Sequence, residues 1–360
     1  MPRLRPAVVC SLRQTSPLLK SLLIATRDLP SAKNELRWLT EHAQRRATTR
    51  FGDASQPRSW RQLLISYCQW RGRHVPLQYI LGTEFFGDLE IKCRPGVLIP
   101  RQETASITTH LAHLISTSGY FRSLPTIRIL DLCTGTGCIP LLLHHLLRSS
   151  GLEAHITGVD ISPVAIGLAK QNLTANPVLG DGSTMEFVQA DVLASPSNPG
   201  STGIQSLEQA LSRDAQFDVL VSNPPYISPR HFRRTTASSV RRFEPRSALV
   251  PSPESSVAVP GGQKADDVQA DAFYPALLAH AARLGVEAVL FEVGDGEQAG
   301  RVAGMAETLR KEWGEGMMEI WRDEPGLPGG ARDFLGGVRV MGRGNIRGVF
   351  VSRRGSASKE

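Results

Sequence analysis

Between residues 127 and 293 short apolar runs alternate with longer amphipathic ones, and this alternation constrains the fold more than any other feature. Residues 127–131, 154–160, 185–190, 217–221 and 288–293 read as strands, and 139–147, the stretch after Ser162-Pro163, 270–284 and 299–310 read as helices. Ser162 suits an N-cap and Pro163 the first helical position. Two later runs, near 318–321 and 338–341, add strands. Strands that alternate with helices pair in parallel and are covered on both faces. The expectation is an α/β, Rossmann-like sheet of seven strands, with ligands bound beyond the carboxyl ends of its strands.

The residues that carry chemistry fall at those ends. Asp131-Leu132-Cys133-Thr134-Gly135-Thr136-Gly137 follows the first strand and precedes a helix. Glycines there let a backbone approach a ligand closely. No Gly-Lys-Ser/Thr follows, which excludes a P-loop. An acidic residue at the strand end suits a cationic amino-acid ligand better than a pyrophosphate. Asp160 ends the next strand, 23 residues beyond Gly137, where a carboxylate accepts from ribose hydroxyls. Asp191 follows the third strand and is placed to meet an adenine amine. Each has a plainer reading when taken alone: a tight turn, a helix-capping acid and a loop aspartate. Three carboxylates after three successive strands point to one nucleoside-bearing ligand.

Asn223-Pro224-Pro225-Tyr226 follows the fourth strand. Two prolines fix the backbone and remove donors, so the Asn223 amide oxygen and the Pro224 carbonyl can both accept from a ligand. Such a pair holds the two N–H groups of an amide or exocyclic amine and aims the nitrogen at an electrophilic methyl. Tyr226 would cover the planar face. Chemistry of this kind rests mainly on positioning.

Upstream, residues 16–75 carry helical periodicity. Ser31 is a plausible N-cap, Ser59 with Gln62 matches a capping box, and 44–58 forms a polar break. From residue 83 to 99 the period changes to that of strands around Gly87-Asp88, a hairpin signal. Stretches 195–214 and 251–262 are rich in Ser, Gly and Pro and read as surface loops. The five cysteines (Cys10, Cys68, Cys93, Cys133, Cys138) lack C-x-x-C spacing, which argues against a disulfide framework, a zinc site or any other metal centre. No run approaches the ~18 apolar residues of a membrane span. A net charge of +7 favours acidic partners, nucleic acid and ribosome-associated factors among them. From Met1 to Arg27 there are five basic residues and no acidic one, the habit of a mitochondrial transit peptide or of a basic tail leading into a helix.

The chain resembles the HemK/PrmC family, which methylates the glutamine side-chain nitrogen of the Gly-Gly-Gln motif in peptide-chain release factors. The similarity runs from about residue 16 to 352. It is carried by Pro76-Leu77-Gln78-Tyr79-Ile80-Leu81-Gly82 with Phe85, by Leu98-Ile99-Pro100-Arg101 with Glu103-Thr104, and by the Asn223–Tyr226 tetrad. Glu244-Pro245-Arg246 with Ala248-Leu249, and Phe291-Glu292-Val293-Gly294, extend it. The tetrad alone is shared with adenine-N6 DNA methyltransferases. The sequence departs from the family at Cys133, where glycine is usual, and at Gln102 and Ala105.

The resemblance implies a seven-stranded class I methyltransferase sheet preceded by a small helical domain and a β-hairpin linker. The expected organisation is a mitochondrial presequence at 1–15, a helical substrate-recognition domain at 16–82, a linker at 83–99 and the catalytic domain at 100–354. The donor would be S-adenosyl-L-methionine, bound by Asp131, Cys133, Thr134, Gly135, Thr136, Gly137, Asp160, Asp191 and Asn223. Catalysis would fall to Asn223, Pro224, Pro225 and Tyr226. The implied partner is a release factor, met near the ribosome in the mitochondrial matrix, with no membrane or direct DNA binding. The competing reading is an adenine-N6 methyltransferase, which would have to extrude its base. Gly261-Gly262-Gln263 is read as coincidence within a loop. The arginines at 230, 233, 234, 241, 242 and 246 either dock an acidic partner or form a solvated face.

Overall fold

The computed structural model describes residues 16–48, 59–180, 184–195, 203–212, 214–253, 265–314, 316–328 and 334–353. Residues 1–15, the Gly261-Gly262-Gln263 triplet and much of both Ser/Gly/Pro-rich loops lie outside that set. The chain forms two compact units: one runs to Thr83 and includes 237–243, the other comprises 84–236 and 244–360.

The first unit is helical: α1 (Pro17–Thr26), α2 (Leu29–Thr48), α3 (Trp60–Gly72) and the short α4 (Leu77–Leu81), with a further turn of helix at Ser238–Phe243. Leu22, Leu23, Leu39, Ala43, Leu64 and Cys68 interlock as its core. The Ser59–Gln62 capping box forms in both directions. α2 starts before Ser31, whose N–H donates to Asp28 Oδ2 at 2.8 Å. Asp28, not Ser31, is therefore the acceptor at that end, because Asp28 is the last polar side chain before Leu29-Pro30 enters the helix. A bidentate pair, Arg71 Nε and Nη2 on Glu35 at 2.8 and 3.0 Å, joins α3 to α2.

All but the first residue of the hairpin β1 (Thr83–Phe86) and β2 (Leu89–Lys92), turned at Gly87, whose φ is 57°, belongs to the second unit. Residues 93–99 run on without strand pairing. There follow α5 (Gln102–Thr117), α6 (Gly119–Ser123), β3 (Ile127–Leu132), α7 (Cys138–Ser149), β4 (Ala154–Asp160), α8 (Pro163–Ala175) and β5 (Met185–Gln189). Then come α9 (Leu207–Ala210), β6 (Val219–Ser222), α10 (Pro229–Arg234), α11 (Ala265–Ala270), α12 (Tyr274–Leu284), β7 (Ala288–Glu292) and α13 (Gly296–Glu312). The chain ends in β8 (Met317–Glu324), β9 (Phe334–Leu335), β10 (Val338–Met341) and β11 (Arg343–Ser352).

The sheet order is β5-β4-β3-β6-β7-β11-β8-β10-β9. β5, β4, β3, β6 and β7 are parallel, and β11 inserts antiparallel between β7 and β8. The seven expected strands are β3 to β8 and β10; β11, which the sequence did not signal, and the two-residue β9 bring the sheet to nine. β6 and β7 are buried throughout, as parallel strands covered on both faces must be. Ile107 and Leu111 of α5, Leu142 and Leu143 of α7, and Phe86 and Ile91 of the hairpin pack on one face. Tyr274 and Leu277 of α12, with Val302 and Ala306 of α13, pack on the other. The hairpin thus shares a core with the sheet. These layers leave the carboxyl ends of β3, β4, β6 and β7 side by side.

Candidate active site

At the end of β3 the chain turns through Cys133, Gly135 and Gly137, with φ of 64°, 58° and 77°. All three lie in the left-handed region, where only glycine is free of a Cβ penalty. The two glycines serve different ends. A Cβ on Gly135 would meet nothing within 4 Å, leaving its backbone open to a ligand, whereas one on Gly137 would lie 3.0 Å from both Ala169 Cβ and Phe187 Cζ. Gly137 therefore exists for the packing of α7 and α8 on β5. Thr134 N–H donates to the Val159 carbonyl at 2.9 Å, which fastens the turn to β4.

Asp160 Oδ2 accepts from Gly135 N–H at 2.9 Å and Oδ1 from Ser162 N–H at 2.8 Å. It orders the turn and the start of α8 together, and each oxygen keeps a further lone pair for a ligand. Burial pushes its carboxyl above the ordinary value, and backbone bonds from Ser162 and Gly135 oppose the shift. Asp191 Oδ1 accepts from Leu193 N–H at 2.9 Å, so it too serves its own loop.

Asp131 differs. It is fully buried and neither carboxylate oxygen has a hydrogen-bond partner; the Thr134 hydroxyl beside it is also unpaired. Burial, with a contribution from Asp160, raises its pKa to about 8, against the influence of Thr134. An unpaired buried carboxylate is costly, and a cationic group arriving over the turn would offset that cost. The residues present fit an amino-acid nucleoside with a positive end.

A cavity of about 1160 Å³ spans this edge. Its wall includes Cys133, Thr134, Gly135 and Thr136 from the turn after β3, Asp160 and Asp191 from the ends of β4 and β5, and Asn223 and Pro225 from beyond β6. Asp131 and Gly137 lie beneath the wall. Ser222 Oγ donates to the Leu132 carbonyl at 2.7 Å, tying the last residue of β6 to the end of β3 where the glycine turn begins. Pro224 is buried and is not among the lining residues, nor is Tyr226. Tyr226 is half-buried and its hydroxyl donates to Glu292 Oε1 at 3.1 Å.

Several residues join the site that the motifs alone did not assign to it. Glu292, at the end of β7, is 2% exposed and also accepts from Thr104 Oγ1 at 2.7 Å. Burial raises its pKa to about 7, opposed by those two hydroxyls. Arg101 Nη2 reaches both oxygens of Glu244 at 2.8 and 2.9 Å, and Ile99 N–H donates to the same carboxylate at 3.2 Å. That pins the segment entering α5 to the Glu244-Pro245-Arg246 segment, and both line the cavity. The sequence signal for these pairs was the resemblance blocks at Arg101, Thr104, Glu244 and Glu292, whose partners only the fold reveals. Burial first, and then Asp160 and Asp131, push the Cys133 thiol well above its ordinary value.

A methyltransferase domain family model matches residues 129–245. The chain is 35% identical over 250 residues to the mitochondrial MRF1 N(5)-glutamine methyltransferase MTQ1 of Saccharomyces cerevisiae, covering 69% of this chain and 68% of that one. To the probable MRF1 mitochondrial N(5)-glutamine methyltransferase mtq1 of Schizosaccharomyces pombe it is 35% identical over 240 residues, 67% of this chain and 71% of the other. A release factor glutamine methyltransferase of Chlorobaculum tepidum is 38% identical over 183 residues, 51% of this chain and 55% of its own. The match to both yeast proteins extends across more than two thirds of each, and the chain belongs to the family of N(5)-glutamine methyltransferases that act with S-adenosylmethionine.

Proposed function

We propose that this protein transfers a methyl group from S-adenosylmethionine to the side-chain amide nitrogen of the glutamine in the Gly-Gly-Gln motif of a mitochondrial peptide-chain release factor. One observation carries the reading: Asn223 and Pro225 share a single cavity wall with Gly135, Asp160 and Asp191. When bound, the donor supplies an electrophilic methyl on a sulfonium centre. Asp131 would balance the donor's ammonium, Asp160 would accept from its ribose hydroxyls and Asp191 from its adenine amine. Cys133, Thr134, Gly135 and Thr136 would shape the turn around it. Asn223 Oδ1 and the Pro224 carbonyl would accept the two N–H groups of the substrate amide and stop its rotation. The rate then derives from orientation, which can supply ~7–11 kcal/mol of a barrier.

The acceptor is tested by incubating the protein and labelled donor with a Gly-Gly-Gln release factor and, in parallel, single- and double-stranded DNA. Label on the factor's glutamine is expected. Label on adenine alone would transfer the case to the nucleic-acid reading.

The matrix is proposed as the compartment, with the ribosome close by, on the strength of the acid-free basic stretch from Met1 to Arg27 and the mitochondrial yeast relatives. A fluorescent fusion of residues 1–35 should enter the organelle, and a diffuse cytosolic signal would count against the proposal.

A further inference from the structure

Three sets of contacts converge on the last residue of the acceptor tetrad. The Tyr226 hydroxyl donates to Glu292 Oε1 at 3.1 Å, while Glu292 Oε2 accepts from Thr104 Oγ1 at 2.7 Å. The Tyr226 carbonyl accepts from Gln298 Nε2 at 3.2 Å, and Gln298 Oε1 in turn accepts from Gly294 N–H at 2.8 Å. The ring lies against Gly294, where a Cβ would come within 3.2 Å of Tyr226 Cδ2. Gln298, 3% exposed, also donates to Asp271 Oδ1 at 2.9 Å, and Arg301 Nη2 holds that same oxygen at 3.0 Å. Glu292, Gly294 and Gln298 fall within the short junction from β7 into α13, and each acts on a different part of one tyrosine.

Packing alone does not call for this arrangement. A phenylalanine facing an apolar residue would fill the same space without burying a carboxylate, and such replacements of buried polar groups are often neutral or stabilising. Burial pushes the Tyr226 hydroxyl well above its ordinary value and Glu292 up to about 7, so both groups carry the cost of being there. What the polar groups add is direction. They admit one ring rotamer and one backbone setting for Tyr226, and Pro225 and Pro224 pass that setting to Asn223 with little torsional freedom.

We propose that Glu292, Gly294 and Gln298 are positioning residues for methyl transfer, locking Tyr226 so that the Asn223–Pro224 acceptor pair is preformed before the substrate amide arrives. The proposal rests on the amide-transfer reading above.

The test compares Glu292→Leu, Gln298→Met, Gly294→Ala, Tyr226→Phe and the Glu292→Leu/Tyr226→Phe pair in steady-state assays, with donor affinity from calorimetry and Tm from thermal scans. Misplacement of about 1 Å costs on the order of 100-fold in rate. Each single variant is therefore expected to lose about tenfold or more in kcat, with the KM for the release factor and the donor Kd within about twofold. Glu292→Gln keeps an acceptor for Tyr226 and a donor for the Thr104 hydroxyl, and should recover most of the rate. Glu292→Leu and Tyr226→Phe remove the same contact, so their losses should not add. The double variant spares the Tyr226 hydroxyl an unpaired burial and leaves only the Thr104 hydroxyl without its acceptor, and it carries the test if Glu292→Leu does not fold. Wild-type kcat in the folded double variant, or losses that follow Tm alone and vanish at lower temperature, would overturn the proposal. If the wild-type protein methylates adenine instead of glutamine, the functional reading fails, and the same variants are scored on adenine.

Discussion

Under the proposed function, Asp131 is the residue at which stability and donor binding pull against each other. Its carboxylate is enclosed without a partner, and its pKa moves from 3.8 to about 8. Between those values the folded protein holds a proton that the unfolded chain does not, so stability is fullest at low pH and declines as pH rises toward about 8. Asp131→Asn should abolish that decline and raise the Tm of the donor-free protein at pH 8. For a chain of this size each kcal/mol recovered is worth about 1–2 °C. The same change should weaken donor binding at least tenfold. Calorimetric scans at pH 6 and 8, with donor titrations, check both effects, and an Asn variant with unaltered stability and full affinity would remove Asp131 from the site. The nearby cost at Cys133, a side chain at φ 64°, is of the order of 1–2 kcal/mol. The departure from glycine was legible at that position, but the surroundings that raise the thiol's pKa were not. The three carboxylates were legible because each follows a strand. That Asp160 also serves the turn and α8 was not, since its partners are backbone N–H groups brought together by the fold.

Among elements, the parallel strands were legible because burial on both faces leaves continuous apolar runs. β11 was not, although it is the longest strand and completes the sheet. Its pairing with β8 shifts register twice, between Arg343 and Ile346 and between Ile346 and Gly348, and such irregularities break the period-2 pattern. Only its second half is buried. The helix expected at 270–284 is α12, which begins only at Tyr274 because the chain turns at 271–273, where Asp271 meets Gln298, and α11 before that turn was not expected. Gly158 in β4 carried no sequence signal either, since its reason sits on the next strand. A Cβ there would lie 2.6 Å from Phe187 Cδ1 and 2.8 Å from Thr134 Oγ1. Gly158→Ala should therefore push Phe187 and the donor turn apart, costing ~1–3 kcal/mol as overpacking does and weakening donor affinity in proportion. Chemical denaturation and calorimetry together check this. An alanine variant matching wild type in both would show that the strand and turn yield freely.

On the scale of the whole molecule, the sequence showed a helical portion before an α/β portion. The membership of 237–243 in the helical unit was not visible, because contacts between distant segments leave no local pattern. The arginine cluster divides accordingly: Arg230, Arg233, Arg234 and Arg246 belong to the sheet-bearing unit, and Arg241 and Arg242 to the helical one. No described helix is long and apolar enough to cross a membrane. The central claim is that one cavity wall presents a donor to an amide held by Asn223 and Pro224. Its most direct test is single-turnover methyl transfer to a Gly-Gly-Gln release factor by wild type and Asn223→Ala, with the modified residue located by mass spectrometry. Removing one of two orienting acceptors should leave Tm nearly unchanged and lower donor affinity far less than it lowers the rate. A transition-state loss of ~3–4 kcal/mol, at 1.36 kcal/mol per tenfold, lowers the rate by about 10²–10³. A folded Asn223→Ala protein that methylates the glutamine as fast as wild type would contradict the account.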